Sequence, residues 1–125
     1  MERRLFHMAK KTEKIAVASS DGIVVNRHFG HATQFYIYEI MEEEKRLLEI
    51  RKVESVCQGG NHDDRKLVET INKIADCNYL LVSKIGYKAA TVAEQKGVIP
   101  YEIPGLIEES IQQLLNYIKI KKLFE

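Results

Sequence analysis

The chain has 125 residues, 45% of them apolar and 30% charged, which suits one globular domain and argues against wholesale disorder. Nineteen basic side chains against eighteen acidic ones leave a net charge of +1, so nothing electrostatic singles out nucleic acid or an anionic membrane as the main partner. Apolar runs fall far short of the roughly 20 residues of a spanning helix, Met1 to Glu13 lacks the apolar stretch of a signal peptide, and two cysteines are too few for a disulfide scaffold. The expectation is a cytoplasmic protein with free thiols.

Residues 1–13, with Arg3, Arg4, Lys10 and Lys11, read as a flexible leader, and residues 14–125 as a single domain. Lys14 to Ser19 is a short buried-strand pattern, stopped by the turn signal Ser20-Asp21-Gly22. Gln34 to Ile40 is aromatic and β-branched, Glu42-Glu43-Glu44 makes an exposed hairpin tip, and Arg46 to Val53 returns as a strand near a sheet edge. Asn61 can cap a helix with Asp63 and Asp64 in its first turn, and Leu67, Val68, Ile71, Ile74 and Ala75 follow one-face helical spacing. Tyr79 to Val82 reads as a central strand covered on both faces. Tyr87 to Lys96 is a helix ended by Gly97, and Val98 to Tyr101 is a strand that Pro100 pushes to an edge. Ile107, Ile111, Leu114, Leu115 and Ile118 line a closing helix, with Lys119, Lys121 and Lys122 near its end.

The order β-β-β-α-β-α-β-α predicts an α/β fold: a five-stranded mixed sheet, order 3-2-1-4-5, flanked by helices, in the ribonuclease-H-like arrangement. In that topology the loops Ser19 to Thr33, Ser55 to Asn61 and Ser83 to Gly86 leave the sheet at one end, where ligands of open α/β sheets bind. One rim then gathers His28, His31, Cys57 and His62, with Ser19, Ser20, Asp21 and Ser83. Cys77 falls at the opposite end, so no Cys57–Cys77 disulfide is expected.

His28-Phe29-Gly30-His31 reads two ways: two imidazoles that turn toward one metal or cluster, or a polar exposed loop anchored by Phe29. Cys57-Gln58-Gly59-Gly60-Asn61-His62 adds a thiol and an imidazole beside a flexible glycine pair, as a soft-metal ligand set or as a crossover loop with an incidental cysteine. Ser83-Lys84-Ile85-Gly86 is either a turn that brings backbone amides to a ligand at Gly86 or a capped helix start. Cys77 packs as a small buried apolar group. Two-metal phosphoryl chemistry needs clustered carboxylates, and Lys14 to Ser19 and Tyr79 to Gly86 carry none, which argues against a nuclease.

As a set these residues resemble the dinitrogenase iron-molybdenum cofactor biosynthesis family. Ile15-Ala16-Val17-Ala18, then Val25-Asn26-Arg27-His28-Phe29-Gly30-His31-Ala32 and Phe35-Tyr36-Ile37-Tyr38-Glu39 look like its opening block. Cys57-Gln58-Gly59, Asp76-Cys77, Ser83-Lys84-Ile85-Gly86 and Gly97-Val98-Ile99-Pro100 continue in the same order, covering roughly residues 14 to 120. The resemblance implies a carrier, without catalysis, for iron-molybdenum cofactor or an iron–sulfur cluster that precedes it. It also implies metallocluster donor and acceptor proteins as partners. The family's histidine- and cysteine-bearing segments match His28, His31, Cys57 and Cys77, and the match does not select among them. Because the topology puts Cys77 at the opposite end, His28, His31 and Cys57 are the expected metal ligands, with His62, Ser83 and Gly86 completing the binding rim. Two cysteines cannot supply the cluster-binding cysteine triplet of the family's radical enzymes, so the chain alone cannot carry out that synthesis. The alternative is a small regulatory or protein-interaction domain of the same fold with no metal cargo.

Overall fold

A computed structural model describes residues 12–58, 61–62 and 64–125, and of residues 57, 58, 61 and 62 it describes the backbone. The leader therefore lies outside the described residues, save Thr12 and Glu13, where the first strand already begins. The elements run β1 (Thr12–Ala18), β2 (Val24–Val25), a 3-10 turn (Phe29–His31), β3 (Gln34–Met41), β4 (Glu44–Lys52), β5 (Cys57–Gln58) and β6 (Asn61–His62). Then follow α1 (Asp64–Lys73), β7 (Tyr79–Val82), α2 (Tyr87–Gln95), β8 (Ile99–Glu102), β9 (Gly105–Leu106) and α3 (Ile107–Leu123).

Five strands form one mixed sheet, β4-β3-β1-β7-β8. β3 pairs antiparallel with β1 and with β4, while β1–β7 and β7–β8 are parallel. The most apolar strands, β1 and β7, occupy the middle because both of their faces are covered. Ala16, Ala18, Leu80 and Val82 pack with Leu67, Ile71 and Ile74 of the α1 segment and Ala93 of α2. On the opposite face Ile15, Val17 and Leu81 meet Ile107, Ile111, Leu114 and Ile118 of α3, whose spacing gives one apolar stripe. Pro100 lies in β8, an edge strand, where its missing N–H costs no ladder bond. Among the described residues no helix is long and apolar enough to cross a membrane.

Three local expectations need correction. Asn61 does not open α1; its backbone pairs with Gln58 in a β5–β6 hairpin, and the helix begins at Asp64. The two glycines that precede Asn61 make a chain reversal at least as easy as a helix start. Val68 stays 38% exposed and Ala75 lies beyond the helix, while Thr70 takes a core position. The sequence pattern also does not show β2 pairing with β9, a two-residue ladder that ties the loop after β1 to the start of α3.

Candidate functional site

β1 and β7 end side by side, and the chain segments that leave them stay in register for a few residues more. Ser83 N–H donates to the Arg27 carbonyl at 3.0 Å and Phe29 N–H donates to the Lys84 carbonyl at 2.8 Å, so His28 and Lys84 form a parallel bridge beyond the sheet. Phe29 is buried against Phe35, with ring centroids 6.1 Å apart, and pins the 3-10 turn to the core. His28 and His31 flank that anchor and are exposed. Their ring centroids are 6.1 Å apart and the planes are tilted by 47°.

These two imidazoles, Gly30, Lys84, Ile85 and Gly86 line an open cleft of about 220 Å³. Ligand pockets commonly start near 300 Å³, so this is a shallow surface site rather than an enclosed one. A Cβ on Gly86 would meet nothing within 4 Å, which leaves that wall free for a bulky ligand. α2 begins just past Gly86 with no side-chain cap on its first turn. The Glu102 carboxylate accepts from the Ile85 amide at 2.8 Å and holds the Lys84–Gly86 wall in place. Sequence reasoning missed Glu102, and the only signal for it is its position at the end of the strand beside β7.

The other rim residues separate into two groups. Ser19, Ser20 and Asp21 organise their own loop: Ser19 Oγ accepts from the Gly22 amide at 2.9 Å, and Asp21 Oδ1 accepts from the amides of Ile23 and Val24. Those amides hold the Asp21 carboxyl below its ordinary range. Ser83 contributes its backbone to the bridge, but its hydroxyl is buried, has no hydrogen-bond partner among the described residues and is not part of the cleft lining. Cys57 and His62 are backbone partners in the β5–β6 hairpin, and Cα atoms of β5 come within 8 Å of those of the 3-10 turn. Ser55 Oγ reinforces that approach by donating to the Gly30 carbonyl at 3.0 Å. The side chains of Cys57 and His62 lie outside the described residues. Cys77 is a free, buried thiol beside Asn78, whose amide donates to the Lys14 carbonyl near the start of β1, away from the cleft.

Two nitrogen donors and an ammonium group are thus available on the described walls. No group of three His, Cys, Asp or Glu side chains comes together among the described residues, whereas a closed zinc site takes four ligands.

Comparison with known proteins gives the arrangement its relatives. The chain is 39% identical over 103 residues to the FeMo cofactor biosynthesis protein NifB of Frankia alni, a match that covers 80% of this chain and 20% of that protein. The NifB of Azotobacter vinelandii is 36% identical over 89 residues, covering 69% of this chain and 18% of that protein. The chain therefore spans about a fifth of the length of the curated relatives it matches. Among solved structures, an NMR structure of a Thermotoga protein described under the NifB name superposes with a TM-score of 0.56 at 21% identity, covering 83% of this chain and 88% of that one. That likeness supports the fold. Residues 11–117 match the model of the dinitrogenase iron-molybdenum cofactor family, and the chain belongs to that family.

Proposed function

We propose that the protein is a carrier for an iron–sulfur or iron-molybdenum cofactor species in metallocluster biosynthesis, without catalysis of its own, on a ribonuclease-H-like fold. The observation that carries this reading is the pair His28 and His31, held 6.1 Å apart on one exposed cleft by the bridge to Lys84. Imidazole binds iron, and a thiolate binds it also, which gives Cys57 a role through the hairpin that approaches the same turn. A preassembled cluster brings most of its own bonds to iron, so a carrier needs few protein ligands and must release the cargo again. An open, shallow cleft with two exposed imidazoles suits transfer better than permanent retention. Lys84 adds a positive charge on the wall, which favours a cargo with net negative charge. Proteins that donate and accept such clusters are the partners this reading requires.

Anaerobic addition of an iron–sulfur precursor to the purified protein, followed by iron and molybdenum analysis of the re-isolated complex, tests it. The expected result is a coloured complex with bound iron that is lost when His28, His31 and Cys57 are all replaced by alanine. Retention of the cluster by that triple variant would remove the cleft as the site, whereas a parent that takes up no iron would leave a metal-free interaction domain as the better reading.

A further inference from the structure

The two edges of the sheet differ. β8 carries Pro100, which breaks the row of donors a new strand would need. β4 carries no proline, runs for nine residues, and among the described residues pairs on one side only, with β3. All of it except Arg51 is exposed, including Leu47 at 46%, Leu48 at 37% and Ile50 at 45%.

The register assigns each side chain of β4 to a face. Arg51 and Glu49 stand opposite Phe35 and Ile37, which pack under α1 and α2. Arg46 and Glu44 stand opposite Glu39 and Met41, on that same face of β3. Lys45, Leu47, Ile50 and Lys52 stand opposite Ile40, Tyr38, Tyr36 and Gln34, on the α3 face. Leu48 is the extra residue of a bulge at Ile37/Tyr38. One face of the edge therefore reads Glu44, Arg46, Glu49, Arg51, with signs alternating along the strand.

We propose that β4 pairs antiparallel with β4 of a second copy of this chain, about a two-fold axis at Leu47–Leu48. Under that symmetry Glu44 faces Arg51 of the other copy and Arg46 faces Glu49, each twice. Leu47 and Leu48 meet at the centre, and Lys45 lies beside Ile50. In a regular strand, residues 44 and 51 would point to opposite faces because they are an odd number apart. The bulge residue returns them to the same face, so the charges meet only because Leu48 is there. Charged side chains, prolines and bulges commonly guard an edge against pairing; here the charges on one face form a self-complementary series, and the bulge is what brings them into register with a second copy. Within one chain Arg46 already reaches Glu39, and Arg51 reaches Glu49 and Asp76, so the pairs across the axis share these groups; Arg46 and Glu49, with side chains 73% and 52% exposed, keep the most open surface for a partner. β4 runs parallel to β1, so antiparallel joining sends the two clefts to opposite ends of the continuous sheet. The pairing is independent of what the clefts bind.

Sedimentation equilibrium on the full chain, from micromolar to millimolar concentration, reads the prediction. The parent should be a dimer that weakens with added salt. Arg46→Glu alone and Glu49→Arg alone each place like charges across the axis twice and should weaken association by on the order of tenfold or more. Mixing the two variants restores both opposite-charge pairs, so a heterodimer should form where neither variant dimerises by itself. Thermal melts check that each variant is folded. A parent that stays monomeric up to millimolar concentration would overturn the proposal and leave this edge to a strand from another protein. A mixture no more associated than its components would overturn the register.

Discussion

The Phe29 amide lies 2.8 Å from the Lys84 carbonyl oxygen, and this backbone bond holds the two walls of the cleft together. With the Ser83–Arg27 bond it extends the parallel pairing of the sheet past its last regular residue, so His28 stands on strand-like backbone. His31 follows one short turn later, fixed by the burial of Phe29 between the two histidines. Spacing of the imidazoles is thus a property of the core, while the imidazoles themselves are on the surface. A site built on packed backbone in this way keeps its geometry when a ligand side chain is removed.

His31→Ala should therefore weaken cluster binding while leaving stability within about 0.5 kcal/mol of the parent, the usual range for an exposed loop substitution. Titration of an anaerobic cluster donor gives the first quantity and a thermal melt the second. A fall in melting temperature that tracks the loss of binding would show His31 to be structural.

Glu102→Ala should release the Ile85 amide and loosen the Lys84–Gly86 wall. Because Glu102 is exposed and water can replace it, the stability cost should be about 1 kcal/mol or less. Hydrogen exchange at Ile85 should accelerate and cluster affinity should fall together. Glu102→Gln, whose side-chain oxygen still accepts, should lie between parent and alanine on both measures. Equal behaviour of the two variants would mean that the charge, and not the hydrogen bond, is what matters.

Periodicity showed most of the α/β framework because the large apolar positions dictate it. Tyr79 to Val82 has no polar residue and can only be covered on both faces; Ile107, Ile111, Leu114 and Ile118 can only face one way along a helix. What escaped is whatever depends on distant residues or on a single side-chain direction. Val24–Val25 and Gly105–Leu106 are too short for any periodic signal, yet they pair across the molecule. Asn61 is as good a cap as it is a hairpin residue, and the local sequence does not choose. At the site, grouping His28, His31 and Gly86 required only strand direction. The burial of the Ser83 hydroxyl and the clamp from Glu102 depend on which way one side chain turns and which strand runs alongside.

Acid should weaken the fold through Asp76. The Arg51 guanidinium donates to both of its carboxylate oxygens, at 2.7 and 3.0 Å, Lys14 donates at 3.1 Å, and Arg51 also reaches the Lys73 carbonyl and Glu49. Hydrogen bonds from Arg51, above all, hold the Asp76 carboxyl well below its ordinary value of 3.8. The folded state thus takes up the proton at a lower pH than the unfolded state. Its contribution is complete above the unfolded value and is lost as pH falls from there through the folded value. Asp76 is 44% exposed, so solvent screening limits the effect, and Asp76→Asn should cost about 1 kcal/mol at neutral pH. Melting temperature followed from pH 6 to pH 2, the span in which ordinary carboxylates titrate, should fall less steeply in the variant than in the parent. Parallel acid limbs would place the acid sensitivity elsewhere.

Cys77 should behave as a structural thiol. It is 3% exposed, and burial first, with Asp76 nearby, pushes its thiol from 9.0 up to about 12. At neutral pH it stays protonated, and since the thiolate is the nucleophile, alkylation should proceed only as fast as the protein opens. A folded value raised in this way adds stability that is complete below pH 9 and drains away as pH climbs toward 12. Cys77→Ser should destabilise by about 1–3 kcal/mol. The sulfur reaches Asp76 Oδ1 at 3.8 Å, and a hydroxyl on its shorter bond sits farther back, leaving a buried donor poorly satisfied. Cys77→Ala, which leaves no polar atom behind, should cost less than the serine variant. Both should bind clusters as the parent does once they are folded. Iodoacetamide labelling at pH 8 in a Cys57→Ala background, with and without denaturant, isolates the one thiol. Rapid labelling of the native protein would show an accessible, reactive thiol instead of a structural one. Loss of cluster binding in folded Cys77→Ala would make Cys77 a working ligand and would require the cluster to engage the far end of the sheet.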